Sequence, residues 1–296
     1  MQTIVASSFY KSQCMLGEGP MWHTKRKTYF WVDIDGYGFY EYALTGGAAE
    51  FYKTPDKVSL LIEYNDDQLL LGLKGGLAKF DLVTNQLHWL LDIDREIVNN
   101  RCNDGACDSK GRLWIGTMDM EFEPGAGSLY CIDEHMTLKK MLDHTTISNG
   151  LVWSPDNRSL YYIDTPTRKV QSFIFDEISG NIRFEKDIIH IPEKKGSPDG
   201  MAIDEEGMLW IAQWGGFGVY RWDPISGQQT GLIQLPVPNV SSCVFAGEAL
   251  DHLLITTARQ DLSPEDLKKF PESGDVFIAN PGVKGVEKFE CKIAES

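Results

Sequence analysis

The sequence lacks the long apolar runs of membrane proteins. No segment reaches the roughly 18 consecutive apolar residues that a bilayer-spanning helix requires. The N-terminal stretch MQTIVASSFYKSQC also lacks the basic region and apolar core of a secretory signal. We therefore expect a cytoplasmic protein without a membrane partner.

Cationic side chains are scarce relative to acidic ones. The chain has 28 Lys and Arg against 43 Asp and Glu, which leaves a formal net charge of −15. Such a chain repels phosphate backbones and anionic lipids, which argues against a nucleic-acid or membrane-surface role. A negative field of this kind instead favours the binding of cations.

Cysteine and histidine are sparse, with 6 of each in 296 residues. The cysteines form no CxxC pair and the histidines no HExxH or HxH motif, so a histidine-rich zinc or iron site is unsupported. Signatures of a nucleophilic serine or a phosphate-binding loop are also missing. We interpret the cysteines as small apolar side chains that fill space in the protein, and we expect a reducing compartment. They are Cys14, Cys102, Cys107, Cys131, Cys243 and Cys291.

A repeat does organise the chain. Six segments share one pattern: a small or polar residue, an apolar run, a polar turn, and a second run rich in Tyr, Trp, Leu and Ile. This pattern is typical of a β-hairpin, and its recurrence every 40–50 residues or so is typical of propeller blades. It predicts an all-β, six-bladed β-propeller with a central channel, formed by residues 1–296 as a single domain. Equivalent anchor positions open the hairpins at Glu18, Ser59, Asn103, Asn149, Asp199 and Ser242.

The segments between the hairpins supply the outer strands, and helical periodicity is nearly absent. Only SPEDLKKF (263–270) predicts a helical turn, with Ser263 as N-cap and Asp266 three residues later. Because a ring of sheets must close, we expect an N-terminal strand, at about residues 2–10, to join the C-terminal blade.

Pseudo-symmetry predicts that the six anchors form one polar ring at one mouth of the channel. Each hairpin returns to the end where it began, so a second set should lie near the same mouth: Asp33, Thr117, Asp164, Gln213 and Thr257. Converging carboxylate and carboxamide oxygens suit a divalent cation. Taken singly, NDG, SNG and PDG are ordinary turn signals. The cation site is favoured because these motifs share one position in the repeat. It is also favoured because Glu18, at the same position, is not a turn former.

Several motifs together resemble the family of senescence marker protein (regucalcin), gluconolactonases and luciferin-regenerating enzyme. The resemblance extends from about residue 14 to residue 286, and it is nearer to bacterial sugar lactonases such as xylonolactonase than to the animal proteins. The motifs are LGEGPMW (16–22), NNRCNDGACDSKGRLWIGTM (99–118), ISNGLVWSPD (147–156), SPDGMAIDEEGMLWIA (197–212) and LWIAQWGGFGVYRWDP (209–224).

The resemblance implies a six-bladed propeller that binds one divalent cation (Ca²⁺, Zn²⁺, Mn²⁺, Mg²⁺ or Fe²⁺). By position in the matching motifs, it assigns the metal to Glu18, Asn149 and Asp199. It assigns substrate binding to Arg101, Asn103 and Glu121.

The function predicted on this basis is metal-dependent hydrolysis of a sugar lactone, with Asp199 as general base. The enzyme would be a gluconolactonase-like carboxylic ester hydrolase acting on glucono-, xylono-, arabinono- or galactonolactone. The alternative is a calcium-binding regulatory protein of the regucalcin type without significant lactonase activity. A third interpretation is a propeller used as an interaction scaffold. We expect a monomer whose partner is the small-molecule lactone.

Overall fold

The structure is a computed structural model that describes residues 2–294. Two short strands come first: β1 (Gln2–Val5) and β2 (Ser7–Tyr10). Blade 1 contains β3 (Gly17–His23), β4 (Thr28–Asp33), β5 (Gly38–Ala43) and β6 (Glu50–Lys53). Blade 2 contains β7 (Val58–Glu63), β8 (Gln68–Leu73), β9 (Gly76–Asp81) and β10 (Gln86–Asp92). Blade 3 contains β11 (Asn100–Cys107), β12 (Leu113–Asp119), β13 (Gly127–Ile132) and β14 (Leu138–Thr145).

The remaining blades follow the same order. Blade 4 contains β15 (Ser148–Trp153), β16 (Ser159–Asp164), β17 (Lys169–Phe175) and β18 (Ile182–His190). Blade 5 contains β19 (Ser197–Ile203), β20 (Leu209–Trp214), β21 (Gly218–Trp222) and β22 (Gln229–Gln234). Blade 6 contains β23 (Val240–Ala246), β24 (His252–Thr257) and β25 (Val276–Ala279).

The first strand of each blade lies at one edge of its sheet and contacts the first strands of the two neighbouring blades. The six first strands therefore surround a common axis and line the channel. This confirms the predicted six-bladed β-propeller. We call the end where these strands begin the upper end, and the end with the first hairpin turns the lower end.

Apolar side chains between blades hold the ring together. In β8, Leu69, Leu70 and Leu71 are all fully buried, because both faces of the strand are covered by neighbouring sheets. Burying one such side chain stabilises the fold by about 1.5–3 kcal/mol. Trp114 of blade 3 meets Trp153 of blade 4 edge to face, with ring centroids 5.8 Å apart. These two tryptophans, on β12 and β15, thus pack between blades 3 and 4.

The N-terminal residues close the ring in a way the sequence predicts only in part. Strand β2 pairs with β25 and completes blade 6, as expected. Strand β1 instead pairs in parallel with β22 and adds a fifth strand to blade 5. The chain crosses between the two blades at Ala6, whose N–H donates to the Gln234 carbonyl at 3.0 Å. The prediction that one strand at about residues 2–10 joins the C-terminal blade is therefore wrong for residues 2–5. Blade 6 already has four strands once β2 is in place.

The helical content matches the prediction. Helix α1 (Pro264–Lys269) follows β24, and the Ser263 hydroxyl accepts the Asp266 N–H at 3.1 Å in a capping box. The other two helical segments in the part of the chain that the structure describes are single 3₁₀ turns, Thr165–Thr167 and Glu193–Lys195. None of the described helices has the length and apolar character needed to cross a bilayer.

Candidate metal and substrate site

A β-bulge interrupts every first strand close to its anchor residue. The register shifts between Glu18 and Met21 in β3, between Asn149 and Leu151 in β15, and between Pro198 and Met201 in β19. A bulge sets two residues against one on the partner strand and redirects their side chains. The anchors thus occupy the positions where regular alternation fails at the upper end of the channel.

Hydrogen bonds join the anchors of different blades. The Arg101 guanidinium donates to Asn103 Oδ1 at 2.6 Å, and Asn103 Nδ2 donates to Asn149 Oδ1 at 3.0 Å. Asn149 Nδ2 donates to Thr165 Oγ1 at 2.8 Å. The Thr165 hydroxyl donates to the Pro198 carbonyl at 2.9 Å, directly before Asp199. This chain of bonds spans blades 3, 4 and 5 and orients the Asn149 amide.

Three carboxylates repel one another beside this chain. Burial, followed by repulsion from Asp104, raises the pKa of Glu18 to about 8. Burial, followed by repulsion from Glu18 and Asp104, raises the pKa of Asp199 well above its usual range. Arg101 partly offsets the charge of both. Ionising the three carboxyl groups together is therefore costly, because solvation is poor and the charges lie close to one another.

The donor chemistry fits a divalent cation. Glu18, Asn149 and Asp199 offer hard oxygen donors, and a cation would relieve the repulsion between the two carboxylates. Within residues 2–294, no group of three or more His, Cys, Asp or Glu side chains has the arrangement of a metal centre. The candidate set therefore depends on two carboxylates together with one amide oxygen.

Asp104 is a site residue that the sequence analysis missed. It follows Asn103 within the bulge of β11, and burial raises its pKa to about 6. Attraction to Lys288, from the C-terminal segment, lowers the pKa of Asp104 in part. Regular alternation turns only one of two consecutive residues toward the channel. Asp104 could therefore be assigned to the site only by a signal for the bulge.

The structure does not bring Glu121 into this network. Glu121 is exposed in the loop after β12, and its carboxylate makes no hydrogen bond with any residue between 2 and 294. Its backbone N–H donates to Asp119 Oδ1 at 2.7 Å. Its role in substrate binding stays a prediction.

The returning strands do bring the second polar set to the upper end. Asp33 pairs with Gly17, Asp164 with Ser148, and the remaining members pair in the same way. The carboxylates of this second set hold loops in place by accepting backbone hydrogen bonds. Asp33, for example, accepts the N–H groups of Met15 and Leu16. Gln213 is fully buried, and neither end of its amide has a hydrogen-bond partner among residues 2–294.

Comparison with known proteins finds relatives over almost the whole chain. A Bacillus subtilis protein, YvrE, which is named as a candidate sugar lactone lactonase, is 33% identical over 268 residues, 90% of this chain and 92% of its own. Rabbit (Oryctolagus cuniculus) regucalcin is 33% identical over 297 residues, covering 98% of this chain and 99% of its own. A calcium-binding regucalcin from Agrobacterium tumefaciens superposes with a TM-score of 0.92 at 27% identity, with 100% of both chains covered.

The family model matches as well and covers most of the chain. The model described as the SMP-30/gluconolactonase/LRE-like region matches residues 16–259, which include all six anchors and the hydrogen-bond chain from Arg101 to Pro198. The resemblance seen in the motifs is thereby confirmed. The chain belongs to the SMP-30/gluconolactonase/LRE-like family.

Proposed function

We propose that the protein hydrolyses the ester bond of a sugar lactone, an aldonolactone such as glucono-, xylono-, arabinono- or galactonolactone, to the aldonic acid. The observation that carries the proposal is the grouping of Glu18, Asn149 and Asp199 beside the Arg101–Asn103 pair. Membership of a family that includes sugar lactonases supports it.

The proposed cofactor is one divalent cation held by Glu18, Asn149 and Asp199. When bound, it would supply Lewis acidity toward the ester carbonyl. The oxygen donors suit Ca²⁺, Mg²⁺ or Mn²⁺ and tolerate Zn²⁺ or Fe²⁺. The Asn149 amide is oriented for this role, because its nitrogen donates to Thr165 and its oxygen accepts one N–H, from Asn103, which leaves a second lone pair for the cation.

The chain's own side chains would position the substrate and move the proton. Asp199 accepts a proton from the attacking water as its oxygen approaches the carbonyl carbon. Arg101 donates hydrogen bonds to oxygens of the lactone, and Asn103, whose Oδ1 accepts from Arg101, holds the guanidinium in the direction that the attack requires. After ring opening, the Arg101 guanidinium pairs with the new carboxylate. As the ring C–O bond breaks, Asp199 returns the proton to the departing ring oxygen, and no covalent intermediate is required.

A second candidate function is calcium binding without significant turnover. The Agrobacterium tumefaciens structure of high TM-score (0.92) is described as a calcium-binding protein. The same three oxygen donors would bind calcium whether or not a lactone is hydrolysed. Tight calcium binding with no activity on any aldonolactone would favour this alternative over the lactonase.

Chelation tests the metal requirement. We expect protein stripped with a chelator to lose lactonase activity to background in a pH-indicator assay on a panel of aldonolactones. Adding back individual divalent ions should restore activity and raise the Tm, because a ligand that binds only the folded state stabilises it. Full activity in protein whose metal content is verified as negligible by elemental analysis would contradict the metal-dependent mechanism.

Replacing Arg101 tests its role in substrate binding. Arg101→Gln should lower kcat/KM by about 10- to 100-fold, since hydrogen bonds from a charged donor contribute roughly 1.5–3 kcal/mol. Arg158→Gln is the matched control, because the Arg158 side chain is 86% exposed at the lower end. Steady-state kinetics on the preferred lactone compares the two. An unchanged kcat/KM in Arg101→Gln would remove Arg101 from the substrate site.

A further inference from the structure

Two of the six buried cysteines lie against each other although they are distant in sequence. Cys107 ends β11 of blade 3, and Cys291 belongs to the C-terminal segment, residues 280–294. They are 7% and 8% exposed and share one apolar cluster. Each thiol is the largest single influence on the pKa of the other. By contrast, the thiols of Cys102 and Cys243 donate to backbone carbonyls.

The backbone holds this contact in place. On one side of Cys291, a Cβ on Gly111 would come within 2.9 Å of the Glu290 carbonyl oxygen, so the segment is tightly packed on the turn after Cys107. On the other side, the Lys292 N–H donates to the Gly111 carbonyl at 2.9 Å. The Tyr64 hydroxyl donates to the Ile293 carbonyl at 3.2 Å. These backbone contacts on both sides of Cys291 therefore hold its side chain next to that of Cys107.

The C-terminal segment crosses the lower end of the ring. The Gly285 N–H donates to the Leu250 carbonyl of blade 6 at 2.9 Å, and the Glu205 N–H of blade 5 donates to the Lys284 carbonyl at 2.8 Å. The Ala294 N–H donates to the Glu134 carbonyl of blade 3 at 3.0 Å. A covalent bond at Cys291 would thus tie a segment that bridges opposite blades to the strand that carries Arg101.

We propose that Cys107 and Cys291 form an oxidation site at which a peroxide produces an intramolecular disulfide that locks the C-terminal segment to blade 3. In the first step the Cys291 sulfur attacks a peroxide oxygen, the O–O bond breaks, and a sulfenic acid and one water form. In the second step the Cys107 sulfur attacks the sulfenic sulfur, and a second water leaves as the S–S bond forms. Two thiols lose two electrons in total, and hydrogen peroxide is reduced to two waters.

The environment distinguishes the two thiols. The interaction with Cys107 lowers the pKa of Cys291, and the backbone N–H groups of Ile293 and Lys292 act in the same direction. The same thiol contact, together with burial, raises the pKa of Cys107 well above its usual range. Because the thiolate is the nucleophile, Cys291 is the first to be oxidised and Cys107 resolves the intermediate.

Peptide mapping of the full-length protein tests the proposal. Fully reduced, folded protein is treated with a small excess of hydrogen peroxide, quenched, and digested without reductant for mass spectrometry. We expect a Cys107–Cys291 linked peptide, two hydrogens lighter than its parts, that disappears on reduction. We also expect the Tm to rise by about 5–10 °C, because the cross-link closes a long loop. Cys291→Ala should lose both effects, and the matched control Cys243→Ala should keep them.

Differential alkylation covers the case in which Cys291→Ala does not fold. In the wild-type protein, Cys107 and Cys291 should become resistant to iodoacetamide together and in equal proportion as peroxide is added. The proposal is overturned if the two lose reactivity independently. It is also overturned if other cysteines pair instead, or if the linked peptide forms only in denaturant. None of these readouts involves lactone hydrolysis, so the outcome is independent of the proposed function.

Discussion

Asp199→Asn is expected to lower lactonase turnover by at least about 1,000-fold, because it removes the general base and weakens a metal ligand at once. The same substitution should raise the Tm of the metal-free protein. Burial and repulsion raise the pKa of Asp199, so its charged form destabilises the fold at neutral pH, and a neutral amide avoids that penalty. Steady-state kinetics and thermal unfolding after chelation measure the two effects.

Asp156→Asn is the matched control for this prediction. The Asp156 carboxyl lies in the first hairpin turn of blade 4 with 62% of its side chain exposed, so neither turnover nor Tm should change appreciably. Near-normal turnover in Asp199→Asn would contradict its role as base. Low turnover with a lower Tm would show instead that the substitution damages the fold.

Asp204→Ala is expected to destabilise the protein by about 3–5 kcal/mol, because it leaves the buried Trp210 indole without an acceptor and removes a charge-assisted hydrogen bond from Arg221, whose remaining ionic partner is Glu206. Asp204 is fully buried, and its carboxylate accepts the Trp210 indole N–H at 2.9 Å. The same oxygen accepts the Arg221 guanidinium at 2.9 Å. For a chain of this length, thermal unfolding should show a Tm lower by about 5–8 °C.

Blade 3 repeats this arrangement and provides an internal check. Asp108 is also fully buried and accepts the Trp114 indole at 2.9 Å and the Arg112 guanidinium at 2.6 Å. Asp108→Ala should therefore match Asp204→Ala. Asp156→Ala, in the exposed turn, should change stability by no more than about 0.5 kcal/mol. Equal Tm shifts in all three variants would show that the indole–carboxylate hydrogen bonds stabilise the fold no more than the exposed Asp156 carboxylate does.

The repeat and the blade architecture could be predicted from the sequence because a hairpin is a local structure. Its two strands and turn are set by residues close in the chain, so the same pattern of polar and apolar residues recurs at each blade. The capping box at Ser263 and Asp266 was predictable for the same reason. The pairings of Asp33 with Gly17 and of Asp164 with Ser148 followed from hairpin length alone.

The candidate site could be predicted only as a set of positions. Its contacts depend on bulges, and a bulge arises from the fit between strands rather than from the letters of either one. Asp104 was missed because alternation assigns it to the other face of β11, and Thr165 because it lies in a short 3₁₀ turn beyond the repeat. Glu121 matched its motif by position, yet it is exposed in the structure.

The sequence by itself determined the all-β repeat, the family and the chemical type of the anchor residues, because each of these depends on neighbours along the chain. Tertiary structure decided which side chains meet. It divided the N-terminal strand between blades 5 and 6, linked Arg101 to Pro198 through four hydrogen bonds, and set Cys107 against Cys291. The physical reason is that these contacts join blades, and blade-to-blade geometry arises only when the ring closes and its apolar faces pack.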